Sequence, residues 1–574
     1  MTANGNLELT VTLGNEAMSI KRFNMEEISV MGFARFCKNN IPLIITVSFT
    51  LVFAYGSKLF WNSIGIDTEY IMIDRLSSNI INAQVGRPGI LLLSSLLYIK
   101  GFNPFTAFFM TFCLMWFFTI SWCYLIAVFS KNTIKNNKLI PFALVFMTMP
   151  FWAELFYFLL SSAEFALIIS LCPYVIYLLY KGFLDNEKGK IACAFILLVF
   201  MTAVYEAILP MFCCGVFSCF LLWQENSNYE PQAYRKLCIK LFTTLIGSVV
   251  VYFIISRVVG PVFFGKGEMS QYFEGHYFFW GRMPFLENIL RILLLGYTLT
   301  IGNIPLIQNI MFPIMASYAS DITLVEEWNH LCAIYGNVLL LPVTILFIIN
   351  ITLLMRKSIP SGRRLLYMLA GIGIPLCIIL LAIIMGGLNG LVIRILWALP
   401  LAFAFMLFYL INSNTKKIAF IVTCLALLTA AYQGQITAQL HYSDQMRYNE
   451  DVRFAYELNT LILQAQLDGE KLPVAFVGRR RTTDIFFPEY FLPGEIIGRS
   501  NFELVENHYA TTARGLAFMK NIGINFNIPD ESQLEQAFEE AMLMPSYPDP
   551  GSVRRKQDFI VVRISDILYH DRQW

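Results

Sequence analysis

Charge is the first thing this chain is short of. Only 14% of its 574 residues are Asp, Glu, Lys or Arg, where soluble domains carry about 25%. Hydrophobic residues make up 57%, and the mean hydropathy is +0.58. That balance excludes an ordinary soluble enzyme and makes the chain a polytopic membrane protein. Histidine is scarcer still: five are scattered along the sequence, which argues against a metal site built on imidazole. All twelve cysteines lie before residue 425, mostly inside apolar segments, with Cys424 the last. They form neither a disulfide framework nor the paired Cys/His spacing of a zinc site. The first 20 residues lack a basic stretch followed by an apolar run, so no cleavable signal peptide is expected. No repeat or low-complexity tract stands out. A net charge of +2 selects no partner class, and nothing calls for nucleic acid.

What the chain has is apolar runs. A helix needs about 20 apolar residues to cross the hydrocarbon. Runs near 41–60, 104–129, 139–158, 162–180, 191–205, 208–223, 239–259, 335–355, 365–386, 391–411 and 417–434 make eleven. Orientation follows from Lys and Arg, which collect in cytoplasmic loops. Lys21, Arg22, Arg35 and Lys38 precede the first run. KNTIKNNK (131–138), KGFLDNEKGK (181–190), YRKLCIK (234–240), RKSIPSGRR (356–364) and NTKK (414–417) fall in alternate loops. The short turns near 160, 206 and 388 contain no Lys or Arg. Eleven spans with residues 1–40 in the cytoplasm satisfy this pattern. A further span at 286–315 would invert every later basic loop, so that apolar stretch reads as interfacial or re-entrant.

The expected fold is therefore an all-α polytopic body over 41–435, with loops 62–103 and 260–334 and a polar tail, 436–574, on the non-cytoplasmic side. The tail shows helical character at 443–467, a strand-like PVAFVG (473–478), a helical ESQLEQAFEEAMLM (531–544) and a strand-like FIVVRIS (559–565). Such alternation suggests a small α/β domain. It has no cysteine pairs, no Gly-rich phosphate loop and no Ser/His/Asp arrangement, so it reads as a substrate-binding or supporting module. No ATP or nucleotide sugar is available on that side. Chemistry there must draw on something already in the membrane.

Just beyond the first span comes WNSIGIDTEYIMIDR (61–75), carrying Asp67, Glu69 and Asp74 among Ile64, Ile66, Tyr70, Ile71, Met72 and Ile73. The plain reading is acidic residues at a helix exit. The apolar company instead predicts a segment on the bilayer surface, where desolvation raises a carboxylate's pKa and makes it a better base. GRPG (86–89) follows. Pro88 suits the first turn of a helix, and Arg87 would stand at its mouth, suited either to a phosphate or to snorkelling.

DTEY (67–70), QVGRPG (84–89), TAVYEAILP (202–210), GLVIRILWALP (390–400) and MPSYPDPGSV with FIVVRIS (544–565) together resemble the serotype-converting glucosyltransferases of the GtrII type. No single motif is specific; their order and place in the topology are. In that family the acidic residues after the first span are adjacent or nearly so, whereas here Thr68 separates Asp67 from Glu69, leaving open which is the base. The resemblance implies a GT-C fold with amphipathic helices in the first outer loop, in a bacterial inner membrane with a periplasmic tail. It implies a polyprenyl-phosphate sugar donor, typically undecaprenyl-phosphate glucose, and a surface polysaccharide acceptor such as the O-antigen of lipopolysaccharide. A lipid-sugar synthase and a flippase would supply the donor, alongside membrane lipids. Asp67 then becomes the favoured base, Glu69 a second base or acceptor clamp, and Arg87 and Arg394 the donor-phosphate ligands. No cofactor is required, and a divalent metal is not needed to explain the residues.

Other polar residues stand in apolar company. Glu206 and Tyr205 lie at an outer hairpin, where the resemblance adds substrate binding to the plain reading of a turn. Glu154 and Glu164 flank an outer turn, either lining the same aqueous cavity, with Glu154 a substrate-binding candidate, or, more simply, forming a solvated helix end. His276, Trp280 and Arg282 lie in EGHYFFWGRM (274–283), where aromatic residues usually anchor to the interface but also stack on sugars. Two rivals to a glycosyltransferase stay open. A polysaccharide polymerase or ligase would place its large outer loop late and need no folded tail. A lipid-linked sugar flippase or transporter should show mid-span charges and an internal repeat.

Overall fold

In the computed structural model the apolar runs are helices. It describes residues 28–61, 63–130, 136–227, 229–264, 279–301, 304, 334–387, 395–467, 471–480, 499–503 and 508–566. Among these, eight helices are long and apolar enough to cross a membrane, and the bent pair Leu139–Thr148 with Pro150–Tyr157 makes nine when counted as one span. The bend, 49°, has a local cause. Met149 precedes Pro150 and is extended (φ −60°, ψ 128°), because a proline disfavours helical geometry in the residue before it. The two remaining expected spans are the helices Lys188–Val204 and Ala398–Ser413, with 17 and 16 residues. Both fall short of a full crossing length. The chain is thus an all-α polytopic membrane protein, and among the described residues fewer helices reach full crossing length than the eleven apolar runs suggest.

Burial ranks the helices. In Leu159–Asp185, 83% of the apolar window is buried, against 17% in Pro231–Val259, so the former is central and the latter faces lipid. The stretch expected to be interfacial begins as the helix Phe285–Thr300; residues 305–315 lie outside the described ones.

The loop after the first span folds into three short helices, Thr68–Ile73, Arg75–Gln84 and Pro88–Leu97. Each residue of GRPG has its own task. Gly86 takes a left-handed turn (φ 94°), which glycine does without strain. Pro88 opens the third helix. A Cβ on Gly89 would stand 2.7 Å from the Val204 nitrogen, so only glycine lets this helix lie against Lys188–Val204.

The composition changes near residue 436, but the backbone does not. One helix, Lys416–Ala465, runs for 50 residues from the last span into the tail. It contains no proline and only Gly434, so nothing interrupts its ladder. The tail is built on its far end. Strands β1 (Val474–Val477), β2 (Val553–Arg555) and β3 (Ile560–Arg563) form a sheet of order β1-β3-β2, with β1 parallel to β3 and β2 antiparallel. Helix Glu531–Ala541 starts at a capping box of Asp530 and Gln533, which satisfies two otherwise orphaned N–H groups. Phe454, Leu458 and Ile462 of the long helix pack with Val474, Phe476, Phe518 and Val562. Ile64, from the loop after the first span, is buried in the same cluster. Loop and tail therefore share one core.

Candidate active site

Gly65 sets the path of the first loop. A Cβ there would stand 2.6 Å from the Tyr157 carbonyl oxygen, so glycine is needed for the chain to pass. Two residues on, Asp67 adopts φ 73° at the N-cap of Thr68–Ile73. The left-handed region is uncommon outside glycine, with Asp and Asn the usual exceptions. An N-cap Asp ordinarily turns its carboxylate onto the helix's free N–H groups. Asp67 makes no such bond. Its Oδ1 instead accepts from Arg514 Nη1 at 2.8 Å, and the same nitrogen donates to Glu69 Oε1 at 2.9 Å.

Arg514 comes from the tail helix His508–Asn521. Asn521 of that helix donates to the Glu69 carbonyl at 3.0 Å, and the Arg514 guanidinium lies 5.1 Å from the Tyr70 ring centre. The two acids differ in setting: the Asp67 side chain is 41% exposed and that of Glu69 1%. Burial pushes the Glu69 carboxyl up to about 7; Arg514 pulls it down, and Asp67 pushes it further up. Oε2 of Glu69 is buried without a hydrogen-bond partner among the described residues. Two ionised carboxylates against one guanidinium leave a net negative charge, and a dry site resists that by protonating the more buried acid. Asp67 is the acid that solvent and substrate can reach.

A second cluster forms around Arg87, the N-cap of Pro88–Leu97. Its Nε lies 3.2 Å from Glu206 Oε2, its guanidinium 4.7 Å from the Tyr205 ring centre, and the Tyr252 hydroxyl donates to Glu206 Oε1 at 2.6 Å. The structure thus joins Arg87, Tyr205 and Glu206, which the sequence offered separately. Burial works against the charge on Arg87, but Glu206, Tyr205 and Tyr252 together offset this, so the guanidinium is held protonated. Tyr205 is itself wedged between Phe165 and Trp397, with ring centres 4.5 and 5.1 Å away.

Sequence reasoning missed a third group, which mounts the first loop on the tail. Lys58, Asp444, Arg447 and Asp451 are all buried, and their charges sum to zero. Lys58 contacts both Ser63 and Asp444, and Ser63 donates to Asp444 at 2.6 Å. Arg447 bonds Asp444 at 2.8 Å, Asp451 at 3.0 Å and the Ile64 carbonyl at 2.8 Å. Asp451 accepts from Ser500 at 2.6 Å and from the Asn501 backbone and side chain, each at 2.9 Å. Asp444, Arg447 and Asp451 stand at i, i+3 and i+7 on one helix face. That spacing is legible, but its partners are not. Arg514 carried a weaker signal, a lone arginine in ATTARGLAF (510–518).

The other expected residues fall elsewhere. Glu154 receives a hydrogen bond from Tyr335 at 3.3 Å. Glu164 is wholly buried, which corrects the expectation of a solvated helix end: the first turn of its helix is packed inside the body. Trp280 donates from Nε1 to the Ile383 carbonyl at 2.9 Å, and Phe279 N bonds Met385 O at 2.8 Å. The Trp280 segment is thereby pinned to the end of Ser361–Met385. Arg282 is exposed. His276 and Arg394 lie outside the described residues. Among the described residues, no three His, Cys, Asp or Glu side chains converge as a metal ion would need.

No curated protein matches the chain. The family model described as Glucosyl transferase GtrII matches residues 56–396, a segment that holds Asp67, Glu69, Arg87 and Glu206 and stops short of the tail. With more than half its length so matched, this chain belongs to the GtrII glucosyl transferase family.

Proposed function

We propose that this membrane glycosyltransferase moves glucose from a polyprenyl-phosphate donor to a hydroxyl of a surface polysaccharide such as O-antigen. The reaction takes place on the non-cytoplasmic face of a bacterial inner membrane, with the basic loops in the cytoplasm. The acceptor oxygen attacks the anomeric carbon as the bond from that carbon to the phosphate oxygen breaks. Its hydroxyl proton passes to Asp67, and the electron pair leaves with polyprenyl phosphate. A phosphate leaving group needs no general acid, so one accessible carboxylate suffices. Glu69 stands behind it as the buried partner. Arg87 takes the donor phosphate, helped by Arg394, through charge-assisted bonds. No metal or cofactor enters the scheme.

One observation carries this reading: in a chain of the glucosyl transferase family, the acid reachable by substrate lies within the matched segment, in a short helix just past the first span. The test uses purified protein in lipid nanodiscs with polyprenyl-phosphate glucose and surface polysaccharide. Asp67→Asn should abolish glucose transfer. Undiminished transfer by Asp67→Asn would overturn the assignment of the base, and undiminished transfer by Glu69→Gln as well would overturn the site.

A further inference from the structure

The geometry points to a composite active centre: Arg514, from the tail, is a positioning residue that aims Asp67 and keeps the acidic pair competent. This rests on the reading of Asp67 as base but adds to it, because the family match ends at residue 396 and does not include the tail.

Three observations meet here. Asp67 holds the N-cap position of its helix yet does not cap it; its carboxylate is turned to Arg514 instead. One nitrogen of Arg514 serves both acids, so the relative placement of Asp67 and Glu69 across Thr68 is set from outside their own helix. The tail helix is also seated at a second point, where Asn521 binds the Glu69 carbonyl. The helix itself is seated on the tail core: Leu516, Phe518 and Met519 pack with Phe454, Phe476 and Phe502, and Thr512 Oγ1 accepts from the Phe476 backbone N–H at 3.0 Å. The charged groups that bear on Glu69 are Arg514 and Asp67. Removing the cation leaves two carboxylates facing each other beside a dry wall, and proton uptake by Glu69 moves to higher pH. Asp67, without its partner, is free to swing onto its own helix N-terminus and away from the acceptor.

The test compares variants of the full chain in nanodiscs, assayed with polyprenyl-phosphate glucose and polysaccharide across pH. Arg514→Gln should lower kcat by about 10²-fold, the scale of a misplaced catalytic group, with little change in donor KM. It should also shift the acid limb of the pH profile upward by about one unit. Arg514→Lys, whose ammonium can still bridge the acids, should recover part of kcat and restore the limb. A purely structural arginine would cut the folded yield and leave the limb in place. Should the Gln variant fail to fold, Glu69→Gln combined with Arg514→Gln removes the buried acid with its partner. That double variant should remain slow, because Asp67 still lacks its cation. Wild-type kcat and pH profile in either Gln variant, with Asp67→Asn inactive, overturn the composite centre and leave the reaction assignment standing. An active Asp67→Asn rejects that assignment itself.

Discussion

The cluster at Arg514 and the cluster at Arg87 join the same chemistries, a guanidinium and a carboxylate, in different surroundings. Arg87 and Glu206 are 21% and 31% exposed, whereas Arg514 and Glu69 are 10% and 1%. Both members of the half-buried pair keep contact with solvent, so an incoming anion can reach the guanidinium. A buried pair has no such freedom, because removing either member strands a charge away from water. Arg87 is thus suited to a visiting anion and Arg514 to holding two acids of its own chain in place. The first pair is made entirely within the body. The second joins residues 445 apart in sequence.

The hardest blow to this contrast falls on the buried side. Arg447→Met should cost about 3–5 kcal/mol by leaving Asp451 without its cation and Asp444 with Lys58 alone, seen as early thermal unfolding of the tail in nanodiscs. A loss below about 1 kcal/mol, the range of exposed pairs, would erase the distinction. Glu69 gives the next test. Its carboxyl lies at about 7 when folded against an ordinary 4.5, so the folded state favours the protonated form. That stabilisation is complete below pH 4.5 and is lost as pH rises through 7, at about 1.4 kcal/mol per unit of difference. Glu69→Gln should flatten the stability of the tail between pH 4.5 and 7. An unchanged slope would mean the acid is not held in a dry site.

The half-buried cluster sharpens the contrast through kinetics. Arg87→Ala should raise donor KM about tenfold, equivalent to about 1.4 kcal/mol of lost ground-state binding, with kcat nearly unchanged. Glu206→Gln should lower KM by freeing the guanidinium. If both variants bind donor as the parent does, Arg87 is only a helix-end anchor. The smallest effect is local. Asp67→Ala should destabilise by about 1 kcal/mol more than Asp67→Asn in thermal unfolding, because alanine tolerates the left-handed backbone at φ 73° poorly. Equal stability would mean that backbone is not a constraint.

Much of the body was legible because lipid imposes one rule, apolar length, on every crossing. Where each helix ends is set locally rather than by that rule, as when Lys188–Val204 gives way to an extended Tyr205 (φ −159°). The acidic pair and Arg87 were also legible, since polar residues in apolar company stand out. Their partners were not. Glu206 stood out as a candidate at an outer hairpin but not as the partner of Arg87, and Tyr252 was one more aromatic in a span. Arg514 sits in a polar tail where an arginine draws no notice, and hydropathy does not reveal which charges meet across several hundred residues. Glu164 misled for the opposite reason: a glutamate at a helix start reads as solvated, yet packing placed it inside.

The unbroken helix Lys416–Ala465 has a mechanical consequence. At 1.5 Å per residue it is a rod of about 75 Å, rooted in the bilayer at one end and in the tail sheet at the other, with no hinge between. A tilt of the last crossing is therefore carried stiffly to the sheet and its companion helix, and so to the guanidinium beside Asp67. Bilayer thickness, through that lever, becomes a variable of the chemistry at the surface.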